Sequence, residues 1–330
     1  MFLIDDLVNL NPAYYDVDIE YGLGPVILAF IPLTYLIPTL YVILNTLLVY
    51  FKNLYGKKDE TINPHVLFVI VLHQMSSFFY MIFDYLNFRI PATGVITSWC
   101  AHQNPSHLLK IIFTSNLYFA YLSMIFPTLI AVLRVVAIYY PHKHYQISRK
   151  IVLITVPLIL IYPISCTFFL IPALGVCRQY PPPFKFGSVF IHFVGAWNDL
   201  KNFHILLFNY SFWFSLSVTA NWILYRKLRK VLVINKSSRI HKAELTLTST
   251  TLSMLFSYLI NAIFLIFVWY STPISRYFVL LRPFGNDCDL VIIPWIFFLI
   301  HPAFKHKPVF LKKYFLERFS NVHHNHPVSN

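Results

Sequence analysis

The chain has 330 residues, of which 57% are hydrophobic and only 12% charged, a composition far too apolar for a soluble globular domain. The net charge of +13 by itself suggests nucleic acid as a partner. Most Lys and Arg lie in short segments beside apolar runs, however, so we exclude nucleic acid and expect membrane lipid around the chain.

Seven apolar runs follow one another, and each is long enough to cross a hydrocarbon core of about 30 Å as a helix. Strands of a membrane barrel would instead show about 10 residues of alternating polarity. The sequence therefore predicts an all-α multi-pass membrane protein, a seven-transmembrane helix bundle. The predicted spans are 25–51, 65–88, 108–140, 151–174, 203–225, 245–270 and 278–304.

Lys and Arg collect in every second gap between these spans, and 18 of the 26 lie on one side. Because cytoplasmic loops carry the excess of Lys and Arg, we expect the N-terminus outside the cell and the C-terminus inside. Residues 1–24 are predicted to form an extracellular N-terminus without a cleavable signal peptide, and 25–304 the seven-helix domain. Residues 305–330 are predicted to form a cytoplasmic tail with a short helix on the inner leaflet.

Two cysteines, Cys100 and Cys177, fall in connections on the predicted outer side. Thiols in an oxidising compartment can pair, so we predict a disulfide that ties the loop 175–202 to the start of the third helix. Two unpaired loop cysteines are the alternative. No Cys/His spacing resembles a zinc site, so we expect neither a metal nor a cofactor.

Polar side chains inside the apolar runs are the candidates for function, because ionisable groups at membrane depth are costly. Placed on seven helices, many of them fall in the outer half and predict a pocket for a small molecule between the helices. Amide side chains that only bond one helix to the next are the alternative. The candidates are Asp84, Asn116, Tyr118, Asn209, Trp213, Asn261, Trp269, Arg282, Asp287 and Asp289.

The seventh run contains Pro283 and Gly285, which are expected to break its helix beside a cavity. Arg282 is close enough in sequence to pair with Asp287 or Asp289. A helix that begins only near residue 290, and leaves both acids in water, is the alternative. Arg89 is counted among the basic residues of the outer side.

The end of the third run carries the most specific string of the chain, from Leu133 to Pro141. Arg134 can either anchor the helix at the membrane surface or hold the inner ends of neighbouring helices, and Pro141 then stops the helix. The pattern Arg-x-x-Ala-Ile-x-x-Pro resembles the end of the third helix in rhodopsin-like G-protein-coupled receptors. Leu133 and Val135 replace the acid and the aromatic residue that usually flank the arginine in those receptors.

A second string, Arg282-Pro-Phe-Gly-Asn-Asp287 followed by Pro294-Trp295, completes a resemblance to the nematode serpentine chemoreceptors, closest to the class gamma superfamily. The resemblance implies a plasma-membrane chemosensory receptor, in the cilia of sensory neurons. It implies a small external ligand and signalling through a heterotrimeric G protein. A catalytic role is not expected, because neither a Gly-x-Ser-x-Gly motif nor a phosphate loop occurs in the sequence.

The basic face of the predicted cytoplasmic side supplies the candidates for transduction: Arg134, Pro141, Arg226, Lys227, Arg229 and Lys230. Such a face can bind a partner helix or touch anionic lipid. Two other functions compete with the receptor. A secondary transporter would show internal repeats, and an odorant-gated channel subunit of the inverted type would place its N-terminus inside the cell.

Overall fold

A computed structural model of the chain consists mainly of long helices, with one small β-sheet at one end of the bundle. The residues that the structure describes are 7–15, 23–55, 63–182, 184–197, 202–234, 255–256, 258–264, 266–267 and 273–300. The predicted tail helix within 305–330 and the acidic residues before position 7 lie outside these ranges.

Helices α1 (Leu23–Tyr55) and α2 (Pro64–Asp84) begin the bundle. The carboxamide oxygen of Asn63 accepts a hydrogen bond from a backbone N–H of the first turn of α2, and Pro64 occupies the first helical position, a favourable start for a helix. The helical path then widens into a π-turn, Tyr85–Arg89, before it ends at Ala92. The predicted second span, 65–88, is therefore helical throughout.

Helix α3 (His107–Tyr139) lies at the centre and packs against α2, α4 (His144–Cys166) and α5 (Asn202–Ile234). The hydroxyl oxygen of Ser106 accepts a hydrogen bond from the N–H of Leu109 and caps the start of α3. Buried aliphatic and aromatic side chains of α1, α2, α3, α4 and the last described helix, Pro273–Ile300, form the main core.

Helix α6 is described at 255–267 with gaps, and α7 (Pro273–Ile300) packs against α1. The expected break at Pro283 and Gly285 is wrong, because α7 stays helical through both residues. Membrane helices tolerate proline where neighbouring groups satisfy the freed carbonyl. Gly285 instead permits a close approach, since a Cβ atom there would lie 2.6 Å from Cγ2 of Ile260.

Four fully described helices are long and apolar enough to cross a membrane: Gly24–Tyr55, Pro64–Ala92, His107–Tyr139 and His144–Cys166. Large apolar side chains of α1 and α4, among them Ile37, Leu153 and Ile161, are exposed on the outside of the bundle. An apolar surface of this kind suits the lipid interior and not water.

The predicted fourth span, 151–174, is shifted along the chain. Helix α4 begins seven residues earlier, at His144, and already ends at Cys166. The apolar residues after it form a short 3₁₀ turn in which Phe169 and Leu170 are buried within the protein. Their apolar character therefore reflects packing at the end of the bundle and not contact with lipid.

The connection after α4 forms an antiparallel hairpin of β1 (Leu174–Gln179) and β2 (Val189–Val194), which the all-helical prediction missed. Gly175 exchanges two backbone hydrogen bonds of 3.0 Å with Ser106 at the start of α3. A Cβ at Gly175 would lie 2.2 Å from the backbone nitrogen of Lys110, so only glycine fits.

A disulfide joins Cys177 of β1 to Cys100 of the short helix Thr97–Ala101, with their Cα atoms 5.8 Å apart. We call the end of the bundle that carries this bond and the hairpin the disulfide end, and the opposite end, at which α3 finishes, the Arg134 end.

Candidate functional site

A cavity lies between α2, α3, α5, α6 and α7, with an empty volume of about 510 Å³ including the part open to solvent. Its wall is unusually rich in charged and polar groups for a membrane bundle. The ionisable residues of the wall are Asp84, Arg89, Asp287 and Asp289, its tyrosines are Tyr80, Tyr210 and Tyr258, and its amides are Asn261 and Asn286.

Arg89 holds two acids of different helices together at one side of this cavity. Its Nε donates a hydrogen bond of 2.7 Å to Oδ2 of Asp84. Its Nη1 and Nη2 donate bonds of 2.8 and 2.6 Å to the two carboxylate oxygens of Asp287. The side chain of Arg89 is 1% exposed, so the three groups form a buried ionic cluster with one negative charge in excess.

The π-turn explains how Asp84 and Arg89 come to face the same acid. Residues five apart in a regular α-helix point about 140° away from each other. The wider turn at Tyr85–Arg89 brings the side chain of Arg89 back over Asp84 and into the bundle. Single π-turns within helices occur frequently at functional sites.

Two tyrosines connect the ionic cluster to α1. The hydroxyl group of Tyr35 donates a short hydrogen bond to Oδ2 of Asp287. The guanidinium carbon of Arg89 lies 4.8 Å from the ring centroid of Tyr85, a cation–π distance. The hydroxyl group of Tyr85 in turn donates to the carbonyl oxygen of Ala29, at 2.9 Å. Helices α1, α2 and α7 therefore meet at the cluster.

Arg282 belongs to a second network, which joins α2, α6 and α7. It donates to Oδ1 of Asn261 at 3.3 Å and to the hydroxyl of Tyr80 at 3.4 Å. Asn286 donates to the same hydroxyl at 2.8 Å and accepts from Asn261 at 2.7 Å. The expected pairing of Arg282 with an acid of its own helix is therefore wrong, because Arg89 occupies the carboxylate of Asp287.

Asp289 follows Asp287 by two positions in α7, so the two side chains point to different sides of the helix. Asp289 is 9% exposed. The hydroxyl of Ser77 donates to its Oδ2 at 3.5 Å, and Nε2 of His73 lies 3.6 Å from the same oxygen. Its other oxygen, Oδ1, is buried without a hydrogen bond to the described residues. Both acids are thus enclosed in the bundle, so the alternative of a seventh helix that begins near residue 290 is wrong.

Four of the candidate residues lie elsewhere. Asn209 accepts from the hydroxyl of Tyr162 at 2.5 Å, and the ring of Trp213 packs edge-on against the same tyrosine. The hydroxyl of Tyr118 donates to a carbonyl oxygen of α4 at 3.0 Å. Asn116 is buried in α3 but is absent from the cavity wall. The first three bond α3 and α5 to α4, and Trp269 lies outside the described residues.

The Arg134 end contains the candidates for transduction. Arg134 is 2% exposed within α3, which ends two residues before Pro141, as expected for a proline stop. The ammonium group of Lys227 lies 5.0 Å from the ring centroid of Tyr139 and so links α5 to the end of α3. Arg226 lies over the ring of Trp222. The side chains of the remaining two, Arg229 and Lys230, lie outside the described part.

The site holds buried charges beside the cavity. Among the described residues no three His, Cys, Asp or Glu side chains are placed to hold a metal ion. The charges pair across helices and line the cavity.

The arrangement of the helices is that of the seven-helix G-protein-coupled receptors. The chain is similar to squid rhodopsin, with a TM-score of 0.56 over 89% of this chain and 82% of that one. At 11% sequence identity this likeness shows the fold alone. The predicted seven-transmembrane helix bundle is confirmed, while the orientation of its ends stays a prediction.

The sequence identifies the family within that class. Residues 8–307 match the family described as serpentine type 7TM GPCR chemoreceptor Sru. The chain is also 31% identical over 259 residues to serpentine receptor class U-26 of Caenorhabditis elegans, covering 77% of this chain and 88% of that protein. The chain belongs to the Sru family of serpentine chemoreceptors. The resemblance to nematode serpentine chemoreceptors is confirmed, and its placement in the class gamma superfamily stays a prediction.

The sequence analysis missed Arg89, the residue at the centre of the site. It was assigned to an outer connection, because an arginine after an apolar run usually marks the membrane surface. A signal was nevertheless present, since apolar residues continue beyond it to Ala92 and an acid precedes it by five positions. The π-turn that brings the two charges together has no comparable signal in the sequence.

Proposed function

We propose that the chain is a plasma-membrane chemosensory receptor, placed in the cilia of sensory neurons. It binds a small external molecule in the cavity beside Arg89 and activates a heterotrimeric G protein at the Arg134 end. Membership of the Sru family and the seven-helix fold support a receptor of this class and favour it over an enzyme, a transporter or an odorant-gated channel subunit.

The proposed orientation places the disulfide end outside the cell. The bond between Cys100 and Cys177 supports this assignment, because disulfides form and persist in oxidising compartments. The excess of Lys and Arg in the loops of the other side agrees with it. Under this orientation the cavity takes its ligand from outside, and the basic face of α5 meets the cytoplasm.

The single observation that carries the binding proposal is the contact of Arg89 with Asp84 and Asp287 at the cavity wall. This cluster fixes α7 to α2, and two tyrosines extend it to α1. A ligand that binds one arrangement of these helices more tightly than another shifts the population toward that arrangement. Prolines within α1, α3, α4 and α7 weaken the local helical hydrogen bonding and are points at which such helices can bend.

At the Arg134 end, α3 and α5 are already in contact through Lys227 and Tyr139. A change in helix packing at the cavity therefore reaches a surface that exposes basic groups. We infer that the basic residues of α5 form the surface that meets the G protein, with anionic lipid as its neighbour, and that Arg134, buried within α3, couples the packing of the helices to that surface.

A cavity-filling substitution tests the proposal. Ser123 lines the cavity and its hydroxyl donates to a carbonyl oxygen of its own helix, so Ser123→Phe projects a ring into the cavity without removing a hydrogen bond between helices. Ser215→Phe is the matched control, because Ser215 makes the same kind of bond on the exposed side of α5. Both variants are compared with the wild-type receptor in cells that report G-protein activation.

We expect both variants at the cell surface and the loss of ligand-driven activation only in Ser123→Phe. Equal ligand-driven activation of the two variants would show that the cavity is not the ligand site. Epitope tags at the two ends, stained with and without permeabilisation, test orientation in the same cells. An N-terminal tag that is stained only after permeabilisation would contradict a receptor and favour the inverted channel subunit.

A further inference from the structure

Asp289 differs from the other acids of the cavity in having no cationic partner of its own. Its carboxylate receives one long hydrogen bond from Ser77, and its Oδ1 is buried without a bond to the described residues. A buried carboxylate without compensation costs several kcal/mol. Because Asp289 lines the cavity, a positive charge bound there would compensate its carboxylate.

His73 is the nearest basic group, but it is a poor counter-ion for Asp289. The 3.6 Å between Nε2 and the carboxylate exceeds the usual 2.7–3.2 Å of a hydrogen bond. The ring is 1% exposed, and its Nδ1 has no hydrogen-bond partner among the described residues. An imidazolium would bury that N–H without an acceptor, so the neutral ring fits this site better.

The two arginines near the cavity are already engaged. Arg89 directs three nitrogens to Asp84 and Asp287. Arg282 donates to Asn261 and Tyr80 and lies over an aromatic ring of α6. Neither contacts Asp289 in these networks. Three carboxylates of the wall thus face two arginines, Arg89 in the wall and Arg282 behind Tyr80 and Asn261, which leaves one acid in excess.

Aromatic rings complete the surroundings. Tyr80, Tyr210 and Tyr258 line the same cavity, and the rings of the last two meet edge to face at 6.4 Å. Aromatic faces attract cations, and a cage of such rings beside a carboxylate is a general means of recognising ammonium groups.

We propose that the external ligand is a small organic amine whose ammonium group pairs with Asp289 and whose apolar part packs against the tyrosines. This inference rests on the proposed receptor function and names the chemical class of its ligand. It also explains why the cavity keeps an excess of acids although Arg89 neutralises part of them.

A panel of small primary and tertiary amines tests the proposal, each paired with an alcohol or hydrocarbon of the same shape and with a carboxylate. Two quantities are measured for the wild-type receptor: its thermal stabilisation after purification in detergent, and G-protein activation in cells. We expect stabilisation and activation by particular amines and not by their neutral or acidic counterparts. Stabilisation by neutral or acidic compounds alone, or by none of the panel, would overturn the assignment.

Asp289→Asn provides the matched substitution, since it keeps the size of the side chain and removes its charge. We expect it to reach the cell surface and to require about 100-fold more amine or higher for the same stabilisation. An unchanged amine dependence would overturn the role of Asp289. If the variant fails to fold, the comparison of amines with their neutral counterparts on the wild-type receptor still decides the ligand class.

The two readouts separate this inference from the receptor function on which it rests. Amines that stabilise the purified protein without activating a G protein would support the ligand class and contradict the proposed signalling. Activation by a neutral compound, with Asp289→Asn fully active, would support the receptor and overturn the amine ligand.

Discussion

Arg89, in the π-turn after α2, and Asp287 of α7 face each other through two parallel hydrogen bonds of 2.8 and 2.6 Å. Such bidentate pairs between a guanidinium and a carboxylate are the strongest and most directional of the charged hydrogen bonds. This pair is buried, so each charge depends on the other for compensation. The contact fixes α2 against α7 at the proposed ligand site.

Replacing Arg89 by Met should strongly destabilise the protein. Asp84 and Asp287 would then be left as neighbouring buried acids without a cation, and breaking such a group typically costs about 3–5 kcal/mol. We expect a lower unfolding temperature in detergent and less protein at the cell surface. The control is the triple variant Arg89→Met, Asp84→Asn and Asp287→Asn, which removes all three charges and should recover most of the loss. A single variant as stable as the wild type would show that the cluster contributes little.

Removing the disulfide should loosen the disulfide end of the bundle. The bond spans 77 residues of sequence, and closing a loop of this order typically stabilises a protein by about 2–5 kcal/mol. The double variant Cys100→Ser and Cys177→Ser avoids a stray thiol and should unfold at a lower temperature. Cys166→Ser, which changes a free cysteine, is the control and should have a small effect. Equal unfolding temperatures for the two variants would contradict a structural role of the bond.

Substituting Gly285 should disturb the contact of α6 with α7. The added Cβ of Gly285→Ala would lie 2.6 Å from Cγ2 of Ile260, and overpacking of this kind costs about 1–3 kcal/mol. Ile260→Ala removes the opposing atoms, so the double variant should be more stable than the sum of the two single changes implies. Thermal unfolding of all four proteins gives the interaction energy. Strictly additive effects would argue against this close approach.

Acid should weaken the hairpin through His192, whose ring packs among Phe113, Phe190 and Phe193. Burial, together with the nearby charge of Arg178, lowers the pKa of His192 to about 3. Because the folded protein resists protonation, this contribution to stability is complete above about pH 6.5 and falls as the pH drops from there toward 3.

The loss is at most about 1.4 kcal/mol for each pH unit in that range. It should be visible as a lower unfolding temperature of the purified receptor at pH 5 than at pH 7.5. In His192→Phe, which keeps an apolar ring at this position, the difference between the two pH values should shrink. A variant with the same pH dependence as the wild type would exclude His192 as its source.

The sequence was sufficient for the general architecture because lipid imposes a simple rule on length and polarity. Long apolar runs predicted the bundle, and Pro141 predicted the end of α3 within two residues. The rule fails where apolar residues serve packing within the protein, as Phe169 and Leu170 do beyond α4. The hairpin was missed because its two strands are held by pairing with each other and by a bridge from Gly175 to Ser106, contacts that the length and polarity of single apolar runs do not encode.

Part of the candidate site was also predicted, because lipid imposes the same restriction on polar side chains. Asp84, Asp287 and Asp289 were found because charge at membrane depth is informative by itself. Which groups pair, however, depends on the rotation of each helix and on the π-turn before Arg89. An amide in a membrane helix, such as that of Asn209, can either line a pocket or bond one helix to another. The hydrogen bond between Tyr162 of α4 and Asn209 of α5 shows the second role.

The central claim is that ligand binding in the cavity causes G-protein activation at the Arg134 end. It is tested most directly by measuring ligand-induced thermal stabilisation and G-protein activation together, in the wild-type receptor and in Arg134→Ala at matched surface levels. We predict that Arg134→Ala keeps the stabilisation and loses the activation. Full activation by Arg134→Ala, or a wild-type receptor that binds its ligand without activating any G protein, would contradict the account.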